Sequence, residues 1–324
     1  MNALIGIALA AYKPDLDFFE AQLQSIVDQT FTDWFCIIGF DSPIEEIQKS
    51  AQLKRFFSDK RFKFIQNSAT KGVVGNFQAT GQACLARNPR YIAYCDQDDV
   101  WYPEKLQVLS IAIAKRPAMS VVHCDMHILK KQTDGTFTNM EQTAWQIERR
   151  GVNNVRPTDF FVRNVVAGAG MLFDADLARA YPQIPDEVYG QDHWYALVAS
   201  YFGGVYPVVK PLYSYRIHGE NISGITPYTG FFSMNSMAEG LFEKCMLAFN
   251  SSRARYRMAA LTDLPTTRLQ SLVASSYLDL GFGYFFKSLM CLTNDPALAR
   301  ACFARAAGKI FRLVGRRFKD KTRH

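Results

Sequence analysis

The chain has no stretch long and apolar enough to span a bilayer; the best candidate, Leu278 to Leu292, is broken by Asp279 and Lys287. It has no C-x-x-C pair. Its seven cysteines are odd in number and scattered, which argues against a disulfide framework or a structural zinc site. Four of them fall in apolar runs and read as small core residues of a protein in a reducing compartment. No fixed-period repeat and no low-complexity segment is present. Outside the last twenty residues there is no excess of positive charge. Arg305 to His324 carries eight basic residues and one acid, Asp320, which accounts for the whole net charge of +7. A broad nucleic-acid footprint is therefore not expected, and no nucleic-acid partner; one basic tail is.

What is present is an ordinary globular composition, 48% hydrophobic and 21% charged, in a length of 324 residues that suits one large α/β domain, or one domain with an appended subdomain. Met1 to Ala11 reads as a first buried strand rather than a leader. The chain is organised around Tyr91 to Lys105. There an apolar run of strand character ends in Asp96, Asp98 and Asp99, with Pro103 beyond it where a helix would begin. Carboxylates this close repel one another unless solvent or a cation intervenes. Oxygen ligands of this kind suit Mg²⁺ or Mn²⁺, which bridge protein carboxylates to a diphosphate. A solvated acidic turn is the plainer alternative.

Hydrophobic patterning predicts strands over 4–9, 34–40, 62–65 and 91–95, alternating with helices over 16–27 and 73–85 and a helix of mixed charge after 43. That alternation indicates a mainly parallel sheet in an α/β domain, with ligands beyond the carboxyl ends of the strands. Tyr12, Asp41 and Asp96 to Asp99 all stand at such ends. Further strands are expected over 119–129 and 165–173, a long loop over 130–158, a helix over 192–202, and an extended run over 205–217 leading to His218. From about Gly230 the pattern is helical. The expected division is 1–228 for the α/β domain and 229–324 for a helical region with the basic tail.

Several ordered pieces together resemble the family 2 glycosyltransferases, which have the nucleotide-sugar-binding GT-A fold. They are Ala10-Ala11-Tyr12, Gln24-Ser25-Ile26 with Gln29-Thr30-Phe31, Asp41, Lys71 to Phe77, Asp96-Gln97-Asp98-Asp99-Val100-Trp101, Gln191-Asp192, and His218 with Asn221. The wording around Asp96 and His218 is most similar to the bacterial branch that includes rhamnosyltransferases. The resemblance implies that Tyr12 packs beside the base, Asp41 accepts the pyrimidine N–H, and Asp96 holds the ribose or base side. Ala10, Lys71, Asn76 and Gln97 complete the implied nucleotide site, with Lys71 near the diphosphate. Asp98 and His218 would hold Mn²⁺ or Mg²⁺, Asp99 would cap the next helix or support that pair, and Asp192 would be the catalytic base. Trp194 would stack on a sugar face or pack in the core.

The activity so implied is an inverting, metal-dependent transfer from a dTDP- or UDP-sugar to a glycan or lipid-linked acceptor of bacterial surface polysaccharide. A non-catalytic glycan-binding scaffold is a second reading, weakened by the presence of both Asp98 and Asp192. A nucleotidyltransferase is a third; it would show a glycine-rich basic loop where Ala10-Ala11-Tyr12 stands. In the tail, Phe303, Ala307, Ile310, Val314 and Phe318 recur at helical spacing, with Arg305, Lys309, Arg312 and Arg316 on another side. Such a basic amphipathic helix suits peripheral contact with a membrane, here the inner face of the cytoplasmic membrane, or plain docking on the domain.

Overall fold

The computed structural model describes residues 4–67, 72–148, 155, 160, 164–185 and 190–218. Lys71, Asn221 and the whole of 219–324, with the expected helical region and basic tail, lie outside the described residues. The chain divides into two compact units, 1–144 with 166–224 and 145–165 with 225–324.

The described elements run β1 (Ile5–Ala11), α1 (Leu16–Val27), β2 (Trp34–Phe40), α2 (Glu45–Lys49), α3 (Lys54–Ser58), β3 (Phe62–Gln66), α4 (Val73–Leu85) and β4 (Tyr91–Cys95). Then follow β5 (Val100–Trp101), α5 (Lys105–Ile113), β6 (Val121–Lys131), β7 (Phe137–Thr143), α6 (Ala144–Glu148), β8 (Met171–Asp174), α7 (Ala175–Ala180), α8 (Gln191–Tyr201) and β9 (Val205–Ile217). One sheet has the order β3-β2-β1-β4-β8-β6-β9-β5, with β7 added on β6. The half from β3 to β4 is parallel, as the alternation of strands and helices predicts. The other half is mixed: β8 runs antiparallel to β4 and β6, β5 to β9, and β7 to β6, while β6 and β9 are parallel.

Local chemistry explains the first half. Asp15 caps α1 by accepting from the backbone N–H of Asp17 and Phe18, and Phe19, Leu23 and Ile26 recur at helical spacing and are buried. Each such side chain contributes about 2 kcal/mol by leaving water. The strands β1, β2 and β4 are buried on both faces, so they show no polar alternation. Cys36, Cys84, Cys95 and Cys124 are free and buried, as small core residues. Burial pushes the thiols of Cys84 and Cys124 up to about 12, which keeps them protonated and unreactive.

Two sequence expectations are corrected. The region 130–158 does not begin as a loop. β6 continues to Lys131, turns at Asp134 and Gly135, and returns as β7. Gly135 has φ +87°, and Asp134 accepts from the Thr136 amide, so the turn chemistry is local. β7 is exposed over most of its length and carries no apolar alternation to reveal it. The strand expected over 165–173 is regular only at 171–174, because a 3₁₀ turn occupies Gly168–Gly170.

Candidate active site

The carboxyl ends of β1, β2 and β4 meet, and side-chain amides, one of them buried, hold them there. Asn76, on α4, donates from Nδ2 to the carbonyls of Gly39 (2.8 Å) and Ala11 (3.3 Å), tying β2 to β1. Its Oδ1 accepts from Asn67 and Thr80. The approach requires a glycine at 39, where a Cβ would stand 2.0 Å from Thr80 Oγ1. Gln97 ties β4 to β1: its Oε1 accepts from the Tyr12 amide at 2.8 Å and its Nε2 donates to the Tyr12 carbonyl at 3.2 Å. Asn76 and Gln97 therefore spend their amides on the backbone at the strand tips. Ala10, paired with Gly39, lies in the same strand tip.

Tyr12 is 55% exposed just beyond β1, so its ring is available to a flat ligand. Asp41, just beyond β2, accepts from the Gly72 amide through Oδ2 at 3.0 Å. Its Oδ1 is buried and has no hydrogen-bond partner among the described residues. A buried acceptor left in this state is costly unless a ligand donor meets it.

The acidic turn after β4 is fixed by β9. Val100 and Trp101 pair antiparallel with Ser214 and Tyr213, which carries the 96–99 turn past Arg216 and His218. Ser214, Arg216 and His218 alternate along the strand and share one face. The Arg216 amide donates to Asp99 Oδ1 (3.2 Å), and its Nε donates to the Asp98 carbonyl (2.9 Å). The guanidinium is stacked on the rings of Phe18 and Phe137, at 4.2 and 4.7 Å. His218 Nε2 then donates to Asp98 Oδ2 at 2.8 Å. The two residues proposed from the sequence as a pair, 120 positions apart, are in direct contact. Asp99 does not cap α5, whose first turn follows Glu104; it is buried under Arg216.

Asp192 opens α8, and its Oδ1 accepts from the His193 amide at 2.6 Å. Its charge reaches Asp96. Burial first, then Asp98 and Asp192, push the Asp96 carboxyl up to about 7. Burial, Asp96 and Asp98 raise Asp99 well above the usual carboxylate range. Trp194 is only 1% exposed and packs edge-on against Tyr181, so it belongs to the core and not to a sugar subsite. Arg216 and the buried Lys105 are site-building residues that the sequence reading passed over. The regular alternation of Ser214, Arg216 and His218 was the available signal for the first.

Among the described residues no group of three or more His, Cys, Asp or Glu side chains is arranged to hold a metal ion. The Asp98–His218 pair nevertheless suits a cation that arrives with a diphosphate. Neighbouring donors on an octahedral ion with bonds of about 2.1 Å stand about 3 Å apart, close to the separation seen. One carboxylate and one imidazole would leave most of the coordination of such an ion to ligand oxygens and water. The imidazole would have to carry its proton on Nδ1 to ligate through Nε2.

The family model for glycosyl transferase family 2 matches residues 8–178, more than half of the chain. The chain belongs to glycosyl transferase family 2. Among curated relatives it is 30% identical over 102 residues to the bifunctional glycosyltransferase pgtA of Dictyostelium discoideum, covering 32% of this chain and 13% of that one. It is 26% identical over 134 residues to the Escherichia coli UDP-Glc:alpha-D-GlcNAc-diphosphoundecaprenol beta-1,3-glucosyltransferase WfgD, covering 40% of this chain and 48% of that one. The aligned stretch thus spans less than half of either relative. Among solved structures, S. aureus TarS 1-349 in complex with UDP superposes with a TM-score of 0.51 at 11% identity, over 96% of this chain and 92% of that one. That likeness shows the fold, and it is the GT-A fold expected from the sequence. Membership places the chain among the glycosyltransferases. Among the described residues no helix is long and apolar enough to cross a membrane.

Proposed function

We propose that the protein is an inverting glycosyltransferase that moves a sugar from a pyrimidine nucleoside-diphosphate donor to a hydroxyl of a glycan or lipid-linked acceptor. The observation that carries this reading is the contact of Asp98 with His218, just beyond the ends of β4 and β9, beside Asp96, whose carboxyl feels the charge of Asp192 at the start of α8. The buried Oδ1 of Asp41 would accept the N3–H of uracil or thymine. Tyr12 would cover the base, Asp96 would meet the ribose side, and Lys71 would lie near the diphosphate. Asp98 and His218 would hold Mn²⁺ or Mg²⁺, which supplies positive charge opposite the leaving diphosphate. Asp192 would take the proton of the acceptor hydroxyl while its oxygen bonds to the anomeric carbon. The bond from that carbon to the diphosphate then breaks on the opposite face, which inverts the centre.

The donor is a UDP-sugar or a dTDP-sugar such as dTDP-rhamnose. The relatives favour the former, since TarS has been solved with UDP-GlcNAc and WfgD is named for UDP-Glc. The same name, with its diphosphoundecaprenol acceptor, supports a lipid-linked acceptor of surface polysaccharide and a site of action at the inner face of the membrane. The catalytic domain would occupy 1–228 and the helical region 229–324. A screen of UDP-glucose, UDP-N-acetylglucosamine and dTDP-rhamnose with Mn²⁺ and Mg²⁺, reading released nucleoside diphosphate, tests the activity. Release from one donor, lost with a chelator, is expected. Nucleotide binding with no turnover of any donor would favour the non-catalytic scaffold.

The basic tail would bring the enzyme to its acceptor. Each basic residue near an anionic surface contributes about 1 kcal/mol, screened by salt. The protein is expected to sediment with anionic vesicles at low salt and not with neutral ones. Truncation after Asn294 should abolish that while sparing nucleotide affinity. Equal, salt-independent behaviour on both vesicles, or none on either, would leave the tail a docked helix.

A further inference from the structure

Lys105, the first residue of α5, is fully buried directly beneath the acidic turn, and the mechanism above does not use it. Its Nζ lies 3.6 Å from the centre of the Trp101 ring and 4.5 Å from that of Tyr213. It donates to the carbonyl of Ala169. The groups that face it include the carboxylates of Asp96 and Asp99 and the thiols of Cys95 and Cys124. Burial pushes the ammonium down to about 8, with those neighbours opposing. A lysine is an expensive way to fill such a space, since an apolar chain of the same length would pack there without desolvating a charge.

Its contacts join the two sides of the cleft. Trp101 belongs to β5, whose pairing with β9 carries Asp98 against His218. Ala169 is the middle residue of the 3₁₀ turn Gly168–Gly170, closed by the Gly170 amide on the Ala167 carbonyl at 3.0 Å. That turn lies against the start of α8. A Cβ on Gly168 would stand 3.2 Å from Gln191 Nε2 and 3.6 Å from the Cβ of Asp192. The turn is therefore the floor on which the Asp192 side chain rests, and the ammonium pins that floor to the segment bearing the metal pair.

We propose that Lys105 is a positioning residue that sets the place of Asp192 through the Gly168–Gly170 turn. The proposal rests on Asp192 being the base and adds the residue that fixes its distance from the donor. Misplacement by about 1 Å costs up to about 10²-fold in rate. The test uses Lys105→Met, Lys105→Gln, Asp192→Asn and the double variant Lys105→Met/Asp192→Asn in the full chain. Hydrogen exchange over 164–174 reads the turn, and exchange over 5–11 serves as the fold control. Release of nucleoside diphosphate from UDP-glucose, UDP-N-acetylglucosamine and dTDP-rhamnose reads turnover.

Lys105→Met should speed exchange over 164–174 by roughly tenfold or more, leave 5–11 unchanged, and lower kcat by roughly tenfold to 10²-fold with donor KM within about twofold. Lys105→Gln, which keeps a donor for Ala169, should recover most of both effects. The double variant should turn over no more slowly than Asp192→Asn, because the two act as one unit. Unchanged exchange in Lys105→Met, a glutamine variant with faster exchange and lower turnover, or a double variant slowed by the full product of the single effects would overturn the proposal. Normal turnover in Asp192→Asn would instead remove the base assignment, a separate failure read in a separate variant.

Discussion

Asp98→Ala is expected to abolish cation-dependent binding of UDP and to reduce transfer by at least about 10²-fold, the loss of several kcal/mol of charge stabilisation. The remaining protein ligand would be His218 alone, and one imidazole is a poor site for Mn²⁺ or Mg²⁺. The fold should survive. The Asp98 carbonyl still accepts from Arg216, and Asp99 Oδ1 still accepts from the Arg216 amide, so the turn stays on β9. Stability should respond to pH in a defined direction. Asp96 has a folded pKa of about 7, against an unfolded value of about 3.9. A carboxyl raised in this way contributes stability below the unfolded value, and that contribution is lost as pH rises through the folded one. Asp98 is one cause of the rise, so its removal lessens the loss. Without metal, Asp98→Ala should melt at or above the wild type at pH 8, with the difference shrinking toward pH 4. Calorimetric titration with UDP and Mn²⁺, with and without chelator, and melts at the two pH values check both halves. Full activity in chelator with Asp98→Ala unaffected would remove the metal from the mechanism.

The parallel half of the sheet was legible because its strands are continuous apolar runs, and α1 carries a side-chain cap and clear apolar spacing. The bounds of α1, β2, α4 and β4 coincide with those read from the pattern. β7 was not legible, because an exposed edge strand such as Phe137–Thr143 has no buried face to impose alternation. Trp194 looked like a possible sugar platform because sequence does not say which sides of a helix are covered; α8 is buried almost all round. Asn76 and Gln97 read from the sequence as ligand contacts, whereas in the fold their amides close the strand tips. Lys105 was passed over for a general reason: a lysine seven residues after Asp98 is ordinarily in water. The pairing of Asp98 with His218 was available from the resemblance, whereas the Arg216 bonds that hold the pair together required the register of β5 on β9.

Asp192→Asn keeps the volume of the side chain and its acceptor for the His193 amide while removing basicity. Donor binding should therefore be unchanged, with KM within about twofold, and kcat should fall by about 10²-fold or more, the usual contribution of a general base. The substitution separates this carboxylate's possible duties. If it only caps α8, asparagine is an equally good cap and turnover should hardly move. If it takes the acceptor proton, asparagine cannot, and Gln191 beside it has no basicity to offer. Steady-state kcat and KM with the donor that turns over check this. Near-normal turnover would transfer the role to another group, and Asp96, whose carboxyl Asp192 already influences, would be the first to test.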